Sequence, residues 1–137
     1  MNIFIAQPMT GLSNESIENT RNGLIKLCQS EYGEKINILD QFHLPDDIPE
    51  DYKCSIEKQI YLLGRSIQIL AKADVVVMPV NFKRSKGCCV EHDICTTYGI
   101  PIRYCYDHGN RYAFYPKIQY YHDNGIGYTL TADLIGD

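Results

Sequence analysis

The chain has 137 residues, 45% of them hydrophobic and 22% charged, with a formal net charge of −4. That length suits one domain with a real core and not two. The acidic balance argues against binding to a nucleic-acid polymer, which needs a basic face, but a local cluster of donors can still hold a small nucleotide. No apolar run approaches membrane-spanning length and no charged-then-apolar leader is visible, so no membrane association and a cytoplasmic location are expected. The six cysteines stand at positions 28, 54, 88, 89, 95 and 105 with no Cys-x-x-Cys pair. This spacing predicts no metal site and free thiols that pack as small hydrophobes in a reducing compartment.

Residues 2–6 (Asn-Ile-Phe-Ile-Ala) read as a short buried strand. Gln7-Pro8-Met9-Thr10-Gly11 breaks it, since proline and glycine so close together mark a loop. Ser13 is the expected N-cap of a helix running to about Gln29, with Ile17, Leu24, Leu27 and Cys28 on its apolar face and Gly23 weakening it slightly. A second strand is expected over residues 36–39, followed by an acidic, proline-bearing loop over 40–51. Ile56, Ile60, Leu63, Ile67 and Leu70 then recur at spacings of 4, 3, 4 and 3, a single apolar stripe on the clearest helix of the chain.

Residues 74–80 form the third expected strand, apolar on both faces as in a parallel sheet covered by helices. A polar loop with Lys83, Arg84, Ser85 and Lys86 leads to Gly87 and a helix that carries Glu91 in its first turn and ends near Tyr98, with Gly99 at the position after the cap. Residues 101–106 give a fourth strand. The alternation predicts a doubly wound parallel α/β sheet of four to five strands, flavodoxin-like or Rossmann-like. Residues 1–106 would form the core. Residues 107–137 would form a tyrosine-rich extension of the same domain, built on a β-hairpin of residues 117–122 and 126–131 that turns at Asn124-Gly125. In such sheets ligands bind in the crevice at the carboxyl ends of the strands, where Gln7–Gly11 and the Glu91 helix would meet.

The strand followed by Gln7-Pro8-Met9-Thr10-Gly11-Leu12-Ser13, the Ala73-Asp74-Val75-Val76 strand and the Gly87-Cys88-x-Val90-Glu91-His92-Asp93-Ile94 helix resemble the nucleoside 2-deoxyribosyltransferase-like superfamily, in particular its small phage and bacterial members. The resemblance covers about residues 1–104. It implies a flavodoxin-like fold, a homodimer or larger homo-oligomer, a nucleoside or nucleotide substrate and no cofactor. It makes Glu91 the nucleophile and places Asp74 near the nucleobase. It lines the sugar or phosphate pocket with Gln7, Pro8, Met9, Thr10 and Gly11, and gives Arg84, Ser85 and the Gly87 amide a 5′-phosphate to hold.

Breaking an N-glycosidic bond builds positive charge on the sugar and negative charge on the leaving base. A carboxylate beside the anomeric carbon stabilises the first and can bond to it, and a second acid can protonate or orient the base. The expectation is therefore an N-glycosidase or 2-deoxyribosyltransferase acting through Glu91 and Asp74. The alternative is a protein of the same fold that binds a nucleotide without turning it over, as a phage protein that sequesters a nucleotide signal would. Taken without the resemblance, Glu91 reads as a helix-start carboxylate held by the dipole, and Asp74 as a loop residue before a strand. His92 is assigned no role, Cys88 and Cys89 read as packing residues, and the tyrosines beyond residue 103 read as hairpin faces and subunit contacts. The phosphate loop of nucleotide kinases is absent, and the first strand ends in Ala6-Gln7 with no acidic pair for magnesium, which excludes a receiver-type domain.

Overall fold

Both faces of the central strands are apolar, and the fold follows from covering them. The computed structural model describes residues 1–41, 55–107 and 111–120. They form β1 (Asn2–Ile5), α1 (Asn14–Tyr32), β2 (Asn37–Ile38), α2 (Ser55–Leu70), β3 (Val75–Pro79), a 3-10 turn (Phe82–Arg84), α3 (Lys86–Tyr98), β4 (Ile102–Asp107) and β5 (Tyr112–Tyr120). The sheet order is β2-β1-β3-β4-β5, parallel except for the antiparallel β4–β5 pair. This is the expected α/β fold of flavodoxin-like type, with an antiparallel hairpin arm at its C-terminal edge. Among the described residues no helix is long and apolar enough to cross a membrane.

Alternation along each strand divides the core. Phe4, Val76, Met78, Ile102 and Tyr104 pack with Leu70, Cys88 and Cys95 under α2 and α3, while Ile3, Ile5, Val75, Val77 and Cys105 pack with Leu24 and Cys28 under α1. Each of the fully buried Ile and Phe side chains contributes on the order of 2 kcal/mol through removal from water. The helix ends follow local chemistry. Ser13 Oγ accepts from Ser16 N at 3.1 Å, Ser85 Oγ accepts from Cys88 N at 3.3 Å, and Gly99 closes α3 in the left-handed region at φ 73°.

Three expectations change. The apolar stripe of α2 is not core along its length: Leu70 is fully buried, but Ile56 and Ile60 are each 65% exposed. A side-chain carbon placed on Gly87, the second residue of α3, would stand 3.8 Å from Leu63 Cδ1. The residues of α2 before Leu63 therefore run past the start of α3, roughly 12 Å of helix at 1.5 Å per residue. The C-terminal hairpin is present, but its strand pair begins earlier in the chain than expected. The antiparallel partner of β4 is β5, starting at Tyr112 and pairing Asp107 with Tyr112 and Cys105 with Phe114. The predicted turn at Asn124-Gly125 and its second arm lie outside the described residues.

Gly23 is the third. It does not merely weaken α1, because Tyr112 from β5 lies against it. A Cβ there would overlap Tyr112 Cε2 and sit 2.7 Å from Cδ2. Gly23→Ala should therefore destabilise the protein by about 1–2 kcal/mol, although alanine favours helix by about 1 kcal/mol. Urea unfolding should show the loss, and Gly23→Ala combined with Tyr112→Ala should recover part of it. Equal stability of Gly23→Ala and wild type would refute the close approach.

Candidate functional site

At the carboxyl ends of β1, β3 and β4 the chain leaves the sheet in different directions. The β1 loop turns to α1 on one face and the β3 loop turns to α3 on the other. This is the topological switch point, where a crevice opens without any side chain having to be removed. A cavity of about 400 Å³ occupies it. Ala6, Gln7, Pro8 and Leu12 from the β1 end line one side, with Ile17, Thr20 and Leu24 of α1. Val80, Asn81 and Arg84 from the β3 end and Tyr106, Asp107, Tyr112 and Tyr115 from β4 and β5 complete it.

Gln7 is the buried polar group of this wall, 7% exposed. Its Nε2 donates to the Ile17 carbonyl at 3.2 Å, anchoring the β1 end to the first turn of α1. Its Oε1 is buried and accepts no hydrogen bond among the described residues. An acceptor left so costs about 1–3 kcal/mol. Tyr106 and Tyr115 meet edge to face, with ring centroids 5.0 Å apart, so aromatic surface covers the β4–β5 side of the cavity. The neighbouring β1–β2 edge is closed by Arg21, buried on α1. Its Nη2 donates to Leu39 O at 3.1 Å, and Gln41 Nε2 donates to Ile5 O at 2.6 Å.

The rim at the start of α3 is cationic. Lys83, Arg84 and Lys86 are exposed, and none of the three forms an ion pair among the described residues. Ser85 caps the helix through Cys88 N, which leaves the Lys86 and Gly87 amides as first-turn donors without an intrahelical acceptor. Donors and dipole together favour an anion there.

The expected residues therefore divide. Gln7, Pro8 and Arg84 line the cavity; Met9, Thr10 and Gly11 continue the same loop but do not line it. Ser85 and Gly87 belong to the α3 start beside it. Asp74 is elsewhere. It is exposed, and its Oδ2 accepts from Asn2 N at 2.6 Å at the amino edge of the sheet. The five residues of β3 separate it from the carboxyl edge by about 16 Å. A residue that opens a parallel strand stands at the wrong end to meet a ligand, so Asp74 does not pair with Glu91.

Glu91 is the sixth residue of α3, in its second turn rather than its first, and its side chain does not line the cavity. It lies four residues after Gly87, on the flank of the helix that approaches Leu63 of α2. It is 5% exposed. No hydrogen bond or ion pair reaches its carboxyl group among the described residues, and burial pushes its pKa up to about 8. At neutral pH it is a carboxylic acid, able to donate a proton. Burial also pushes the Cys88 and Cys95 thiols beside it up to about 12, so neither is a thiolate. Next on the helix, His92 stacks on Phe82 at 3.9 Å between centroids and shares a 2.7 Å hydrogen bond with Tyr104 Oη. Burial pulls its pKa down to about 4, which makes it a neutral packing residue.

Sequence reasoning missed Asn81, Asp107 and the tyrosines as site residues. The signal present in the chain was the run of tyrosines directly after the fourth strand, at the carboxyl end of a parallel sheet. Among the described residues no group of three or more His, Cys, Asp or Glu side chains is placed to hold a metal ion.

Residues 1–104 match the profile of a protein family described as a domain of unknown function, DUF4406. No curated protein and no solved structure matches the chain.

Proposed function

We propose that this chain, which belongs to the DUF4406 family, binds a nucleoside or nucleotide at the carboxyl edge of its sheet. We propose further that it is an N-glycosidase or 2-deoxyribosyltransferase of nucleoside 2-deoxyribosyltransferase-like type, with Glu91 as the reacting carboxyl group. The observation that carries the binding reading is the switch-point cavity, with aromatic walls, a buried amide acceptor and a cationic rim in one place. A base fits among Tyr106, Tyr112 and Tyr115, and a 5′-phosphate fits Arg84 and the amides at the start of α3. Glu91 supports the chemistry through its environment. A buried carboxyl group without a partner gains most from a positive charge that develops beside it, as on the ribosyl ring when the glycosidic bond breaks. The same burial gives it a proton to supply to a leaving base before it acts as an anion. Homo-oligomerisation belongs to this reading, with the exposed Ile56 and Ile60 of α2 as apolar surface available to it.

The second reading, binding without turnover, is favoured by one specific observation: neither Asp74 nor Glu91 lines the cavity. Incubation of wild type and Glu91→Ala with deoxynucleosides and their 5′-monophosphates separates the two. Release of free base by wild type, lowered at least about 100-fold in Glu91→Ala, is the expected result. Tight binding by both proteins with no base released would establish the binding protein instead.

A further inference from the structure

We infer that Gln7 is the specificity-determining residue of the cavity, and that its Oε1 accepts a hydrogen bond from an N–H on the heterocycle of the ligand. This rests on the nucleotide-binding reading above and adds to it which chemical feature of the base is selected.

The amide of Gln7 has no freedom to choose its role. Its Nε2 is committed to the Ile17 carbonyl at 3.2 Å, which turns Oε1 away from α1. That oxygen is buried and has no partner among the described residues, in a side chain that forms part of the cavity wall. A glutamine with both ends free reads a base edge that offers one donor and one acceptor. Here only the acceptor remains, so this amide recognises a donor and nothing else. The neighbours at this end, Ala6, Pro8, Leu12 and Ile17, are apolar, and the Thr20 hydroxyl on α1 is the other polar side-chain group on this wall. The charged and amide groups of the cavity, Asn81, Arg84 and Asp107, stand at the β3 and β4 ends. A ligand therefore lies with the donor-bearing edge of its heterocycle at Gln7 and its polar sugar or phosphate end towards Arg84. A base with no N–H at that edge would leave Oε1 as buried and unpaired in the complex as it is in the ligand-free chain, and would forgo the bond that an N–H gains there. Rejection of a ligand that lacks a matching polar group is the strongest discrimination a buried site can make.

The test uses three pairs of 2′-deoxynucleoside 5′-monophosphates that differ by one N–H-bearing group: adenine against unsubstituted purine and cytosine against its 4-desamino analogue, which lack the amino group, and uracil against N3-methyluracil, which lacks the ring N–H. Titration calorimetry with wild type should show a preference for the N–H-bearing member of at least one pair, by roughly 10- to 100-fold in Kd. In Gln7→Leu that preference should fall to within about threefold, through loss of affinity for the N–H-bearing member with little change for the other. Circular dichroism should show Gln7→Leu folded, and Gln7→Met serves as a second apolar variant if it is not. Preference that persists in both variants, or binding without preference in wild type, overturns the inference and leaves nucleotide binding standing. Failure of all six compounds to bind wild type overturns the nucleotide reading itself, and this inference with it.

Discussion

Glu91→Gln should stabilise the protein at pH 8 relative to wild type by on the order of 2–4 kcal/mol more than it does at pH 5. Burial holds the carboxyl group at about 8 in the folded chain against an ordinary value of 4.5. Between those values the folded protein keeps a proton that the unfolded chain has released. Stability therefore falls as pH rises through this window, by up to about 1.4 kcal/mol per pH unit. Glutamine does not titrate and removes the slope. His92 works in the opposite direction. Its folded value near 4 lies below the ordinary 6.5, so the stability it contributes is present above 6.5 and is lost as pH falls towards 4. Comparing the variant with wild type at each pH cancels the histidine contribution and isolates the carboxyl. Urea unfolding at pH 5, 6.5 and 8 measures it, and parallel stability profiles for the two proteins would refute an unpartnered buried Glu91. The same variant should release no base if the proposed chemistry is right. More stable and inactive is the combination expected where a strained group is kept for its function.

Arg103→Met should destabilise the protein by about 2–3 kcal/mol and loosen β5 before the rest of the sheet. Arg103 is 5% exposed and occupies an α1-facing position of β4, between Ile102 and Tyr104, which face α2 and α3. Its Nη1 donates to Glu31 Oε1 at 3.0 Å and to Tyr32 Oη at 3.1 Å, and its Nη2 donates to Tyr115 O at 3.4 Å. The guanidinium also lies 4.4 Å over the Phe114 ring. One side chain thus joins the end of α1, β4 and β5. Methionine fills part of the volume but leaves the Tyr115 carbonyl and the Tyr32 hydroxyl without this donor. The half-exposed Glu31 returns to water, which keeps the loss below that of a fully buried broken pair. Hydrogen exchange followed by mass spectrometry should show residues 112–115 exchanging faster in the variant than β1 and β3. Uniform exchange across the sheet would refute the clamp. Because Tyr112 and Tyr115 line the cavity, ligand affinity should fall with it.

Much of the fold was legible because its signals are local. Val75–Val77 is apolar at every position, which only a strand covered on both faces tolerates. Ser13 and Gly99 mark helix ends through a hydrogen bond and a φ value set within four residues. The site was legible in part. Gln7, Pro8 and Arg84 line the cavity because both loops follow strands at their carboxyl ends, a consequence of parallel order alone. Asp74 stands away from the cavity for the same geometric reason read in reverse, since it precedes its strand. The burial of Ile56 and Ile60 was misjudged because periodicity shows that a face is apolar, not that a neighbour reaches it.

Composition, strand alternation and caps by themselves determined a parallel α/β domain with a crevice at the β1 and β3 carboxyl ends, because these depend on interactions between near neighbours in the chain. Only the tertiary structure decided that Glu91 is buried and uncharged, that Gln7 is held with one acceptor unused, and that tyrosines from β4 and β5 complete the cavity. Each of those depends on contacts between residues far apart in sequence. Burial, and with it the charge of a carboxyl group or the partner of an amide, is a property of the packed surroundings and not of the residue.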